Sequence, residues 1–144
     1  MTDLIARIKE DEGFRAKPYR DSRGFLTVGY GLNLDVGITE EEASWLLQHR
    51  LEKTRAELKH RWHPAAELPA PVVDAIVEAA YQLGVDGLLG FHRMLAALGK
   101  HPPDYETAII EARDSPWQRQ TPHRVDHLVD AFRSKMRPND SKRS

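Results

Sequence analysis

The chain has no cysteine, so disulfides, thiolate nucleophiles and cysteine-ligated metals are all excluded, and any reactive group is an oxygen or a nitrogen. It also has no long apolar run. The first residues, Met1-Thr2-Asp3-Leu4-Ile5-Ala6-Arg7-Ile8-Lys9, lack the continuous apolar core of a secretory signal, and no stretch nears transmembrane length. A product that starts in the cytoplasm, with no signal peptide and no stable membrane insertion, is expected. Neither sign of charge is in excess: 21 Lys and Arg face 22 Asp and Glu, a net charge of -1. No global field therefore draws the protein to nucleic acid, and no nucleic-acid partner is expected. Internal repeats are absent too.

What is present is 144 residues, 40% hydrophobic and 30% charged, enough for one soluble domain or two lobes sharing an element. Charge is uneven only at the end, where Arg133, Lys135, Arg137, Lys142 and Arg143 face the single acid Asp140. Residues 137–144 read as a solvated basic tail, with weak contact to anionic envelope polymers as the sharper alternative.

Leu4, Ile5 and Ile8 recur at helical spacing after Thr2 and Asp3, which can cap, and Gly13 offers a left-handed stop, predicting a short amphipathic helix over 3–12. Glu12 falls four residues after Ile8, on the stripe expected to be buried, where a carboxylate is out of place. Glu10, Asp11 and Glu12 also put negative charge at a helix C-terminus, against the macrodipole. Next, Arg20-Asp21-Ser22-Arg23-Gly24 reads as a turn, and Phe25-Leu26-Thr27-Val28-Gly29-Tyr30 as part of a β-hairpin. Period two sets Thr27 on the face opposite Leu26 and Val28. Gly29 suggests a close backbone approach or a ligand.

Thr39-Glu40-Glu41-Glu42 is a capping box. It opens a long helix with the stripe Ala43, Leu46, Leu47, Leu51, Thr54 and Leu58, expected to run to about residue 61 over roughly 30 Å and to join a hairpin lobe to a helical one. After Pro64, Pro69 and Pro71, the residues Val72, Val73, Ile76, Val77 and Ala80 predict a buried helix ending at Gly84. Short helices follow, with stripes Met94, Leu95, Leu98 and Tyr105, Ala108, Ile109, Ala112. Thr121 then caps a last helix that has Pro122 at its first position and carries Val125, Leu128, Val129 and Phe132. The predicted fold class is α+β, mainly α. It comprises a single domain over 1–136, with a small lobe at about 13–38 and a helical lobe at about 62–136 plus residues 1–12.

Glu12, Asp21 and Thr27 lie where the turn can bring them together, and glycoside hydrolysis wants that inventory: a protonated carboxyl for the leaving oxygen and an ionised one to steer water or stabilise an oxocarbenium-like transition state. Partial burial and the helix C-terminus would both suit Glu12 to the acid role, and a polar turn would keep Asp21 ionised. A solvated helix end, a turn aspartate and an ordinary strand threonine would account for the same residues.

Glu12-Gly13, Tyr19-Arg20-Asp21 and Gly24-Phe25-Leu26-Thr27-Val28-Gly29-Tyr30-Gly31 together resemble the catalytic segment of phage-type lysozymes (glycoside hydrolase family 24), the endolysins of tailed phages and prophages. Ala80-Tyr81-Gln82-Leu83-Gly84, Gly87 and Gly90-Phe91 resemble that family's cleft-lining helix, and Ser115-Pro116-Trp117 through His123-Arg124 its C-terminal signature. The resemblance implies a two-lobed lysozyme-like fold with the cleft between the lobes. It also implies cleavage of the β-1,4 bond from N-acetylmuramic acid to N-acetylglucosamine in peptidoglycan glycan strands, causing host cell lysis. Glu12 then matches the general acid, Asp21 the second carboxylate, Thr27 the residue that places water, and Arg124 an arginine pairing with the catalytic Glu. Tyr81, Gln82 and Phe91 match substrate-binding positions. No cofactor and no metal are implied. A monomer is expected, held in the host cytoplasm until a holin gives it access to the wall or periplasm.

Two departures stand out. Leu32 follows Gly31 where many relatives have histidine, and only residues 32–38 separate Gly31 from Thr39, so the small lobe is expected to be trimmed of a strand and a longer loop. His60, His63, His123 and His127 read as surface or capping groups, and Trp62 and Trp117 as packing residues. Two other readings stay open: a lytic transglycosylase cutting the same bond, and a non-catalytic cell-wall-binding module.

Overall fold

The computed structural model describes residues 2–136; the basic stretch 137–144 lies outside them. The fold is α+β and mainly α, with eight α-helices and a small three-stranded antiparallel sheet among the described residues. The chain divides into two compact units, Met1–Leu46 and Leu47–Ser144.

In the first unit, α1 (Thr2–Glu12) precedes β1 (Arg15–Arg20), β2 (Leu26–Gly29) and β3 (Leu32–Asn33). Gly13, at φ +68°, ends α1 and donates its N–H to the Lys9 carbonyl at 3.0 Å, the left-handed stop its position predicts. The sheet runs β1-β2-β3, with Tyr19 opposite Thr27 and Thr27 opposite Asn33. Two expectations are corrected here. The hairpin keeps a third strand, shortened to Leu32–Asn33 rather than lost. Helix α1 falls in the same unit as the sheet, and within that unit its apolar stripe is not buried: Leu4, Ile5 and Ile8 are 45 to 49% exposed, and Glu12 is exposed. Strands of six, four and two residues offer too little apolar area to cover a helix face.

Thr39 and Glu42 form the expected capping box and open α2 (Glu40–Arg61). Thr39 N–H donates to Glu42 Oε2 at 2.7 Å, and Glu42 N–H to Thr39 Oγ1 at 3.2 Å. The backbone and hydroxyl donors of Thr39 hold the Glu42 carboxyl below the usual carboxylate range. The α2 stripe narrows to its C-terminal half: Leu58 is buried, Leu51 and Thr54 are half-buried, and Ala43, Leu46 and Leu47 are exposed.

Among the described residues, the buried apolar core runs from Leu58 of α2 to Phe132, with Ala65 between the helices. The rest of it comes from α3 (Ala70–Leu83), α4 (Val85–Leu89), α5 (His92–Leu98), α6 (Tyr105–Arg113), α7 (Pro116–Gln120) and α8 (Pro122–Arg133). Val72, Val73, Ile76, Val77 and Ala80 of α3 are buried, as are Val125, Leu128, Val129 and Phe132 of α8, so both helices bury the faces their spacing predicts. Thr121 precedes Pro122 as expected, but its hydroxyl does not cap α8. It donates back to the Trp117 carbonyl at 3.3 Å and closes α7 instead.

Candidate active site

Glu12, Asp21 and Thr27 all fall in the first unit. Asp21 sits in the turn between β1 and β2. Its Oδ1 accepts the backbone N–H groups of Arg23 and Phe25, both at 2.9 Å, while its own N–H donates to the Phe25 carbonyl at 2.9 Å. This is an Asx turn, the local bond that makes aspartate a turn former. Arg20 secures the far side of the turn by donating to the Gly24 carbonyl at 2.9 Å. Asp21 is half-buried.

Thr27 is in β2, only 3% exposed, between half-buried Leu26 and Val28. Its hydroxyl donates to the Phe25 carbonyl at 2.9 Å. Because the hydroxyl hydrogen is committed there, Thr27 Oγ1 presents acceptor lone pairs to anything else that approaches. The Phe25 peptide is thus a hub: its N–H binds Asp21, and its carbonyl takes both the Asp21 amide and the Thr27 hydroxyl. Sequence reasoning missed this hub because the groups are backbone atoms; the Asp21-to-Gly24 turn pattern was the signal available.

Glu12 closes α1, and its carboxylate lies against Gly31. A Cβ at position 31 would stand 2.6 Å from Glu12 Oε2 and 2.8 Å from Cδ, and Gly31 has φ +75°. Position 31 therefore favours glycine for its backbone, and an added Cβ would also have to displace the flexible end of the Glu12 side chain. Gly29 differs. Open space surrounds the position its Cβ would take, and its φ of +67°, not a close approach, explains the glycine. Around the β2–β3 connection, Tyr30 packs on Phe14 with ring centroids 5.6 Å apart and takes the Lys9 ammonium over its ring at 5.3 Å.

The other predicted positions belong to the second unit. Tyr81, at the last turn of α3, is 47% exposed, and Gln82 beside it is half-buried. Phe91 meets Trp117 edge-on, with centroids 6.2 Å apart and planes at 78°. It lines an open groove of about 430 Å³ together with Arg93, Glu111 and Asp114, charged groups that sequence reasoning did not single out. Arg124 is exposed on the first turn of α8. Trp117 is buried and Trp62 partly buried against the core, the packing roles expected of them. His127 Nδ1 lies 3.0 Å from Glu78 Oε1.

Two carboxyl groups of different setting, the exposed helix-ending Glu12 and the Asx-turned Asp21, thus share one unit with the buried Thr27. The phage lysozyme family model matches residues 9–133, and the chain belongs to that family. It is also similar to the pre-baseplate central spike protein Gp5 of Enterobacteria phage T4, with 28% identity over 160 aligned positions covering 88% of this chain and 27% of that protein. The chain thus spans about a quarter of the length of that relative.

Proposed function

We propose that this chain is a muramidase that hydrolyses the β-1,4 bond between N-acetylmuramic acid and N-acetylglucosamine in peptidoglycan, in the service of host cell lysis. The observation that carries the reading is the Asp21–Phe25–Thr27 hydrogen-bond hub, found in a chain whose family match includes Glu12, Asp21 and Thr27. In this mechanism Glu12 gives its carboxyl proton to the glycosidic oxygen as the bond from C1 breaks. Asp21 faces the positive charge that develops at C1. Thr27 Oγ1 accepts a hydrogen from the attacking water and aims its oxygen at C1, and the proton the water sheds ends on a carboxylate. Tyr81, Gln82 and Phe91 contact sugar, and Arg124 has a supporting role. The protein acts as a monomer, and a holin that permeabilises the membrane gives it access to the wall.

The test is digestion of purified peptidoglycan by wild type and Glu12→Gln, with mass spectrometry of the products. The reading requires new reducing ends from wild type, near-complete loss of them in Glu12→Gln, and retained glycan binding. Anhydro ends in place of reducing ends would make the chain a transglycosylase instead. Equal behaviour of the two proteins would leave only a binding module. Similarity to a spike protein over 88% of the chain favours a second setting for the same chemistry, a phage particle rather than the lysing cell. Cofractionation of the chain with purified particles would separate the two.

A further inference from the structure

β3 is two residues long, yet β2 beside it carries Thr27 and needs a fixed start. Across this antiparallel ladder Thr27 stands opposite Asn33 and Val28 opposite Leu32. One step further, Leu34 N–H donates to the Leu26 carbonyl at 2.7 Å. A regular ladder would return the bond, with Leu26 N–H donating to the Leu34 carbonyl. Here the Leu34 carbonyl accepts Gly37 N–H at 3.0 Å as the chain turns away, and Leu26 N–H donates to Asp35 Oδ2 at 3.0 Å. Asp35 is set for this by its own N–H, which donates to Asn33 Oδ1 at 2.9 Å. A side-chain carboxylate has taken the place of the strand that ended.

Leu26 stands between the two residues on which the candidate site depends. Phe25, before it, binds Asp21 through both its N–H and its carbonyl. Thr27, after it, returns its hydroxyl to that same carbonyl. We propose that Asp35 is a positioning residue of the glycan-cleaving site, pinning the Leu26 amide and so holding the Asp21 carboxyl and the Thr27 hydroxyl in register. The catalytic part of this inference rests on the muramidase reading; the structural part does not.

The experiment compares wild type, Asp35→Ala and Asp35→Asn in two measurements. One is kcat and KM on purified glycan strands. The other is amide NMR, reading hydrogen exchange at Leu26 and the resonances of Phe25 and Thr27, with α8 amides as the control for global stability. Asp35→Ala should lose protection at Leu26, move the Phe25 and Thr27 resonances, leave α8 unchanged, and lower kcat about tenfold while KM stays within about twofold, as expected when reacting groups are misplaced. Asp35→Asn keeps an acceptor oxygen and should restore all of these. The proposal is overturned if Asp35→Ala keeps wild-type kcat or leaves those resonances in place. It is equally overturned if Asp35→Asn is as impaired as Asp35→Ala, since charge rather than the hydrogen bond would then be at work. If wild type cuts no glycan, the muramidase reading fails and with it the catalytic part. The Phe25 and Thr27 resonances then decide separately whether Asp35 holds the strand.

Discussion

The carboxylate of Glu12 occupies the space that a side chain at Gly31 would fill, with Oε2 2.6 Å from where the Cβ would stand. The proposed acid at the end of α1 is therefore seated against the β2–β3 connection by the absence of a side chain. Gly31→Ala should lose most glycan cleavage, because the carboxylate must move, and should also cost about 1 to 2 kcal/mol for a left-handed L-residue. Gly37→Ala is the control: it has nearly the same φ, +77°, with open space where its Cβ would sit, in the same unit of the chain. Both variants should fall in stability by similar amounts, read by denaturant unfolding, and only Gly31→Ala should lose activity well below its unfolding temperature. Equal activities would dissociate Gly31 from the acid.

Thr27 offers a cleaner division between hydroxyl and packing. Thr27→Val keeps the shape but removes the donor to the Phe25 carbonyl and the acceptor proposed for water. The Phe25 carbonyl still receives the Asp21 amide, so the stability cost should stay near 1 kcal/mol. Thr27→Ser removes a methyl from a site 3% exposed and should cost about 1 kcal/mol while keeping activity. Steady-state rates with unfolding curves check this. A fully active Thr27→Val would remove the hydroxyl from the mechanism.

Where the fold was legible in the sequence, periodicity and a core coincide. The stripes of α3 and α8 predicted Val72, Ile76, Leu128 and Phe132 as interior, and all four are buried. In α1 the same spacing misled within its own unit, since Leu4, Ile5 and Ile8 have the pattern of a buried face and the short strands of that unit do not cover it. Periodicity reports a capacity for burial; the neighbour decides whether it is used. At the candidate site, the types and turn position of Asp21 and Thr27 were legible from the chain and the family resemblance. The Phe25 hub was not, because its shared groups are backbone atoms, and the seat of Glu12 on Gly31 and the Asp35 bond were not, because each joins residues far enough apart that no local pattern records it.

The location of the buried core within residues 58–132 separates it by position from Glu12, Asp21 and Thr27. Phe132 is fully buried and packs on Tyr105 with ring centroids 6.0 Å apart. Phe132→Ala should cost about 3 to 5 kcal/mol. A chemical-denaturation midpoint lowered accordingly, with kcat retained in the fraction that stays folded, is the expected outcome. A loss below 1 kcal/mol would mean that α8 repacks more freely than its burial implies.

His127 supplies a pH dependence whose sign follows from its partners. From α3, Glu78 accepts a hydrogen bond from the imidazole, and Asp130 and Asp126 on α8 add negative charge; together these hold the His127 pKa above 6.5, with the Glu78 bond the largest cause. A raised folded-state pKa means that the protonated form is favoured by folding. The stabilisation is therefore complete below the unfolded value and is lost as pH rises through the folded one. Because both side chains are more than half exposed, the effect should be small and weakened by salt. NMR titration of the imidazole should give a value above 6.5 in wild type and a lower one in Glu78→Gln. Wild type should exceed Glu78→Gln in stability at about pH 5.5, with the difference shrinking towards about pH 8.5. A difference that grew with pH would mean that Glu78 acts on something other than the imidazolium.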